Sequence, residues 1–286
     1  MAPQTIADLL RAATSQLAAT SATPRLDAEL LLTHVLGWPR ARLLAERDLR
    51  PPEETAAAFA ALVERRGRGE PVAYLVGHRE FYGLDFFVTP ATLVPRPETE
   101  LLVELALEAA LRRAGRGAPL RIVDVGTGTG AIAVALAAHL PQAQIYAVDL
   151  SATALEVARR NVQRHGLAGR VRLLHGDLLA PLEGPVDLIV SNPPYTILDE
   201  VEPAVRAYEP RLALEGGPDG AAVYRRLLSA APAYLQTEGA VLLEIGAWQG
   251  ELVAGLLREA FPAAAVAVHQ DLAGRDRVVV ADLLQA

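Results

Sequence analysis

The sequence predicts an α/β protein: a doubly wound, mostly parallel sheet with an antiparallel last strand, preceded by a small all-helical N-terminal domain and a joining β-hairpin. Three observations predict it. Up to about residue 72, apolar residues recur at helical spacing. From residue 121 onward, apolar strand-like runs alternate with helical ones, the pattern of a parallel sheet. The last two strand runs have only a short loop between them, which makes them an antiparallel pair.

Thr5 can cap a first helix whose apolar positions are Ile6, Leu9, Leu10, Ala13 and Leu17. A second spans residues 24–36, with Leu26, Leu30, Leu31 and Val35 inward and Gly37 as its stop. A short third covers residues 40–46. The fourth opens on Pro51, Pro52, Glu53 and Glu54, the prolines and acids a helix start favours, and runs to Arg66 before Gly67 and Gly69 end it. From residue 73 to 94 the period changes to two. Residues 78–82 and 84–88 read as a hairpin turning at Gly83, with a cluster of aromatic residues from Phe81 to Phe87. Residues 96–100 open a helix to about 114, and Gly115, Arg116 and Gly117 form a connector. Strand signals then fall at 121–125, 144–150, 171–175, 186–191, 240–245, 263–269 and 277–281. Helix signals fall at 131–139, 153–164, 221–235 and 251–260. The expected domains are 1–72, 73–94 as hairpin linker, and 95–286.

Composition narrows the function classes. At 286 residues, 51% hydrophobic and 21% charged, the chain is globular rather than disordered. It has no cysteine, which excludes disulfides and thiolate metal sites and is compatible with a reducing cytoplasm. The six histidines lack metal-ligand spacing, so no metal is expected. A net charge of −7 argues against a nucleic-acid partner. Every cationic side chain is Arg, a compositional drift without evident function. With no leader pattern and no apolar run near the ~20 residues of a membrane span, the expectation is a soluble, unprocessed cytoplasmic protein.

Two stretches carry chemistry. The first is the strand ending in Asp124 and Val125, followed by Gly126, Thr127, Gly128, Thr129 and Gly130 and then a helix. Missing Cβ atoms there let a ligand approach the backbone. Asp149 ends the next strand, 19 residues after Gly130, where an acid can accept ribose hydroxyls; the alternative is a helix cap, which Ser151 fills better. The spacing is G-x-G-x-G rather than the G-x-G-x-x-G of dinucleotide binders. Asp124 would repel a pyrophosphate and tolerate a cation. Both departures favour S-adenosylmethionine, with S-adenosylhomocysteine as product, over NAD. Leu150, Asp177 and Leu178 complete the cofactor candidates, Asp177 as acceptor for the adenine amine or as a solvated loop carboxylate.

The second stretch is Ser191, Asn192, Pro193, Pro194 and Tyr195. Two prolines end the strand and stiffen the backbone. The Asn192 side chain and the Pro193 carbonyl then offer two acceptors beside the Tyr195 ring, which suits a planar –NH2 group. An Asx-type turn ended by prolines is the plain alternative. Lying at the carboxyl end of the fourth parallel strand, beside the cofactor loop, the stretch reads as a methyl-transfer site in which Asn192 also touches the cofactor.

With those residues in view, the chain resembles the peptide chain release factor glutamine methyltransferases. The resemblance runs through Glu70 to Leu75, Glu80 to Gly83, Val94 to Glu100, Asp124 to Ala133, Ser191 to Tyr195, Tyr208 to Leu214 and Gly217 to Gly220, and covers nearly the whole chain. It implies a Rossmann-like, S-adenosylmethionine-dependent enzyme that methylates the side-chain amide nitrogen of the glutamine in the Gly-Gly-Gln motif of release factors. Gly126 to Gly130 and Asp149 would hold the cofactor, and Asn192, Pro193, Pro194 and Tyr195 the glutamine. Arg96 is a further candidate substrate contact from its own position, at the hinge before the second domain. Many members have a Trp where this chain has Leu178, which removes aromatic stacking on the adenine. The enzyme is expected to act as a monomer on a protein substrate, with neither nucleic acid nor membrane as partner. A ribosomal-protein glutamine methyltransferase and a nucleic-acid adenine-N6 methyltransferase are the rival readings, since both present an –NH2 to the same acceptors.

Overall fold

The computed structural model describes residues 4–114 and 119–284. The expected connector at Gly115, Arg116 and Gly117 lies outside the described residues. The chain divides into two compact units: residues 1–78 with 202–208, and residues 79–201 with 209–286.

The first unit is helical. It comprises α1 (Ile6–Leu17), α2 (Pro24–Leu36), α3 (Arg40–Ala45), α4 (Glu53–Gly67), α5 (Val72–Val76) and, from far along the chain, a helix at Pro203–Tyr208. Thr5 and Asp8 close a full capping box on α1, each side chain accepting from the other's backbone. Ile6, Leu9, Leu10, Ala13 and Leu17 are all buried, as their spacing predicts. Gly37 ends α2 in the left-handed region (φ 65°).

Two details differ from expectation. Leu31 is buried as expected, but Leu26 and Leu30 face outward, and Asp27, Ala28, Glu29 and Leu32 are buried in their place. The two acids set this rotation. Asp27 accepts from Arg66 Nε at 2.7 Å and from the Ser21 and Thr23 hydroxyls, while Glu29 accepts from Arg25 Nε at 2.9 Å and Arg40 Nε at 2.8 Å. Turned to solvent, α2 would lose a bonded network that hydrophobic pattern alone cannot reveal. Residues 73–76, expected to begin the period-two stretch, instead lie in the helical turn α5, closed by Gly77 at φ 78°.

The second unit opens within a hairpin of β1 (His78–Phe81) and β2 (Leu84–Phe87), from Arg79 onward. Tyr82 and Gly83 both have positive φ (52° and 74°), the backbone of a tight two-residue turn. A 3-10 turn at Pro97–Thr99 leads into α6 (Glu100–Arg113). Then follow β3 (Arg121–Val125), α7 (Ala131–His139), β4 (Gln144–Asp149), α8 (Ala152–Arg164), β5 (Val171–His175) and β6 (Val186–Ser191). After the helix at 203–208, which is α9, come α10 (Ala222–Ala230), β7 (Leu235–Glu244), α11 (Gly250–Ala260), β8 (Ala265–Gln270) and β9 (Asp276–Asp282).

The seven-stranded sheet has the order β5-β4-β3-β6-β7-β9-β8. Strands β3 to β7 pair in parallel, and β9 runs antiparallel to both β7 and β8. The chain winds outward from β3 through β4 to β5, then returns to lay β6 on the other side of β3. The crevice at the carboxyl ends of β3 and β6 is therefore the topological switch point, where open α/β sheets bind ligands. Helix α7 is buried from Ala131 through Ala137, as befits a helix enclosed by its neighbours.

Strand β7 starts five residues before the expected 240. Residues 231–233 form a 3-10 turn around Pro232 rather than more helix, and β7 pairs with β6 from Leu235 across an irregularity. Among the described residues, no helix is long and apolar enough to cross a membrane.

Candidate active site

The glycine-rich loop hangs from β4. The Gly126 and Thr127 N–H groups both donate to Val148 O at 2.9 Å. Gly126 and Gly128 have φ of 74° and 54°, and a Cβ at either would meet no heavy atom within 4 Å. These glycines supply a left-handed backbone and leave open space above it, a cradle into which a ligand can press. Gly130, in contrast, faces inward: its Cβ would lie 3.2 Å from that of Ala158, so it sets the packing of α7 on α8 rather than the cradle.

Asp124 does not reach the cavity. It is fully buried beneath the loop, where its Oδ2 accepts from Thr127 Oγ1 at 2.5 Å and Ala133 N at 3.2 Å. Burial pushes its pKa up to about 7, against the pull of those hydrogen bonds, and its Oδ1 has no hydrogen-bond partner. The expected role as a direct cation contact becomes a brace that holds the loop from below. Asp149, at the end of β4, accepts from Gly128 N and Ser151 N, both at 2.8 Å, and burial raises its pKa. Each of its oxygens keeps a lone pair for a further donor.

One cavity collects most of the expected residues. Gly126 to Thr129, Asp149, Leu150, Asp177, Leu178, Asn192, Pro193, Pro194 and Arg96 all line it. Asp177 Oδ2 is paired with Arg226, another lining residue, so its free acceptor is Oδ1. Leu178 has a left-handed backbone (φ 49°), an uncommon state for a bulky residue. An aliphatic wall thus replaces the aromatic one the resemblance implies at this position.

At the end of β6, Ser191 Oγ donates to Val125 O at 2.7 Å and pins β6 to β3 just before Asn192. Asn192 Nδ2 donates to Thr99 Oγ1 at 3.1 Å. Tyr195 does not line the cavity. Its ring packs against the hydrophobic cluster under the sheet, and its hydroxyl donates to Glu244 Oε1 at 3.4 Å. Burial raises its pKa well above the usual phenol value.

The sequence did not disclose three residues around this site. Glu209 is buried and accepts from Val94 N at 3.3 Å and from Arg96 Nη2 at 2.5 Å, which fixes Arg96 on the cavity wall. Thr99 lines the cavity next to Asn192. Glu244, at the carboxyl end of β7, is 1% exposed, and burial raises its pKa to about 7. The stretches from Val94 to Glu100 and from Tyr208 to Leu214 hold Thr99 and Glu209, but 113 residues separate Arg96 from its partner. For Glu244 the available signal was its place at the end of a parallel strand.

Residues 8–77 match the PrmC N-terminal domain family, and residues 99–207 the methyltransferase small domain family. The chain is 47% identical over 262 residues to a release factor glutamine methyltransferase of Moorella thermoacetica, covering 90% of this chain and 91% of that one. It is 46% identical over 281 residues to the protein of that name from Cereibacter sphaeroides, covering 97% and 98%. Among solved structures, a methyltransferase from Pyrococcus furiosus superposes with a TM-score of 0.52 at 20% identity, covering 78% of this chain and 97% of that one. The T. thermophilus 16S rRNA N2 G1207 methyltransferase, solved with AdoMet and guanosine, gives 0.50 at 23% identity, covering 72% and 49%. These two likenesses establish a methyltransferase fold. The identity to the two relatives, spanning nine-tenths or more of every chain concerned, goes further: this chain belongs to the release factor glutamine methyltransferase family.

Proposed function

We propose that the enzyme transfers a methyl group from S-adenosylmethionine to the side-chain amide nitrogen of the glutamine in the Gly-Gly-Gln motif of peptide chain release factors. The observation that carries this reading is that Asn192 and Pro193 line the same cavity as the Gly126–Thr129 cradle and Asp149. Acceptors for an –NH2 group and a site suited to an adenosine ligand therefore share one space.

The residues present fit the cofactor. The open cradle at Gly126 and Gly128 leaves room against bare backbone, Asp149 keeps acceptor capacity for ribose hydroxyls, and Leu150 and Leu178 supply apolar surface for a base. Bound there, S-adenosylmethionine supplies an electrophilic methyl group on a sulfonium.

The chain's own task is to make a poor nucleophile react. An amide nitrogen is weak because its lone pair is delocalised into the carbonyl. Asn192 Oδ1 and the Pro193 carbonyl would accept its two N–H bonds, orient it towards the methyl group and favour the positive charge that develops on it. Methylation makes that nitrogen strongly acidic, so one proton is lost without a dedicated base. Pro194 stiffens the loop. Tyr195 acts from behind it, through Glu244, rather than as a wall against the substrate amide. Arg96, steadied by Glu209, is the further substrate contact.

In this reading the helical unit grips the release factor, and the enzyme works as a monomer in the cytoplasm without metal or nucleic acid. The net charge of −7 supports a protein partner over a polyanion.

Removing one acceptor costs roughly 2–4 kcal/mol of transition-state stabilisation, by analogy with oxyanion-hole donors. Asn192→Ala is therefore expected to lose more than tenfold in kcat while still binding S-adenosylmethionine; near-normal turnover would sink the assignment. Labelled S-adenosylmethionine offered with release factor, ribosomal protein or DNA tests the substrate class. Label should enter release factor alone and vanish when the motif glutamine is replaced.

A further inference from the structure

We propose that Asn161 is a positioning residue for the cofactor: its carboxamide holds the Thr129 carbonyl, and with it the glycine cradle, while seating the end of the hairpin with the same group. The inference rests on the reading of the Gly126–Thr129 loop as the S-adenosylmethionine cradle and adds what keeps that cradle in shape.

Asn161 lies on α8 and is fully buried. Both hydrogens of its amide are used. Nδ2 donates to Thr129 O at 2.9 Å and to Phe87 O at 2.9 Å, while Oδ1 accepts from Phe87 N at 2.8 Å. Turned over, the amide would set its oxygen against two carbonyls and its –NH2 against an N–H, so the network admits one orientation. Towards Phe87 the side chain acts as a neighbouring strand would, exchanging a donor and an acceptor with one backbone residue.

Thr129 needs such a partner. It is 3% exposed, lines the cavity and stands just before Gly130, from which α7 begins. At a helix start, a carbonyl in this place would accept from the amide four residues on. That amide, Ala133 N, donates instead to Asp124 Oδ2 at 3.2 Å, and the helical ladder begins one residue later with Val134 N to Gly130 O at 2.8 Å. Without Asn161 the Thr129 carbonyl would lose its donor while buried, and the cradle would have to shift to regain one. Gly130 makes the reach possible. A Cβ there would lie 3.2 Å from that of Ala158, three residues before Asn161 on α8, so the helix rests on bare loop backbone just where Asn161 extends to it.

Other side chains of α8 and its C-terminal cap hold the hairpin from the same side. The Arg160 guanidinium lies 3.6 Å from the centre of the Phe87 ring, Arg164 pairs with Asp85, and His165 Nε2 is 3.0 Å from the Asp85 carbonyl. These contacts end at the hairpin. Asn161 bonds the hairpin and the cradle together, which separates its role from theirs.

The test compares Asn161→Ala with Arg160→Ala and His165→Ala, all in the full chain. S-adenosylmethionine affinity, measured by calorimetry, is expected to fall about tenfold or more in Asn161→Ala, the effect of one buried acceptor left unpaired. With release factor as substrate, KM for S-adenosylmethionine should rise by the same factor. kcat at saturation should stay near the parental value, since Asn192 and Pro193 are untouched. Arg160→Ala and His165→Ala, which loosen the hairpin alone, should lower Tm and leave the affinity near that of the parent.

Parental affinity in Asn161→Ala overturns the proposal whatever its Tm. So do hairpin variants that weaken S-adenosylmethionine as much as Asn161→Ala does, because hairpin packing would then account for the loss. A parent that binds no S-adenosylmethionine would overturn the reading of the cradle itself. Should Asn161→Ala fold poorly, hydrogen exchange on the parent decides. The Phe87 amide, held by Asn161 Oδ1, should exchange more slowly once S-adenosylmethionine is bound, while the Gly83 amide, bonded to Glu80 Oε1 at the hairpin turn, should not change. An unchanged Phe87 rate at saturating S-adenosylmethionine would count against the proposal as decisively as an unaffected variant.

Discussion

Asp149 and Glu244 show how one side chain's surroundings decide what it does. Asp149 is bonded to the Gly128 N–H on one oxygen and the Ser151 N–H on the other, so its carboxylate is held still at the end of β4. Asp149→Ala should weaken S-adenosylmethionine binding by more than tenfold, read by calorimetry, because both the proposed ribose acceptor and the loop anchor go together. Glu244 offers a pH test. Burial lifts it from 4.5 to about 7, so the folded protein keeps a proton that the unfolded chain has already released. Between those values the native state binds more protons, and stability falls as the pH rises. Glu244→Gln carries no such loss. Its Tm relative to the parent should therefore be more favourable at pH 8 than at pH 5, and a pH-independent difference would contradict the assignment.

At the scale of elements, the loop after β6 is braced by a segment that follows it in the chain, residues 214–220. Thr196 N donates to Leu214 O at 3.0 Å and Gly216 N to Thr196 O at 2.8 Å. Gly216 and Gly220 lie flat against Tyr195: a Cβ on Gly216 would sit 2.7 Å from Tyr195 C, and one on Gly220 2.4 Å from Tyr195 O. Buried Gln249 closes the bracket, donating to Gly220 O at 3.1 Å and accepting from Gly246 N at 2.9 Å. Gly220→Ala also meets a positive φ of 68°. It should destabilise the protein by about 1–3 kcal/mol and lower kcat more than cofactor affinity, since the acceptor loop moves and the Gly126–Thr129 cradle does not. Denaturant melts and steady-state kinetics on the same variant separate the two effects.

At the scale of the whole methyltransferase unit, one buried ion pair ties the first helix to the last strand. Arg113 is 2% exposed and bonds Asp282, the Glu238 carbonyl at 2.7 Å and the Ala109 carbonyl at 3.0 Å. Arg112 reaches the other Asp282 oxygen at 3.0 Å. Helix α6 is thereby bonded to β7 and β9, the strands that close the sheet on the side away from the cavity. Arg113→Ala leaves a buried carboxylate with half-exposed Arg112 as its ion-pair partner and only the Leu284 N–H besides, and should cost about 3–5 kcal/mol in urea unfolding with little change in kcat of the folded fraction.

Much of this was legible in the chain of letters. Period and punctuation alone separate the helical start, the hairpin at Gly83 and the alternating strands and helices. The G-x-G-x-G loop, Asp149 and Asn192 announce themselves because backbone freedom, a strand-end acid and a proline-stiffened acceptor are local properties. What only the tertiary structure decided are the relations among distant residues. Asp124 lies under the loop and not in the cavity, Tyr195 turns away towards Glu244, and Arg96 meets Glu209 113 positions on. Leu26 and Leu30 face outward because Asp27 needs Arg66, 39 residues away. The physical reason is the same each time. Local pattern reports where apolar surface lies, whereas a buried polar group is oriented by whichever partner the fold delivers to it, and that partner is close only after the elements have packed.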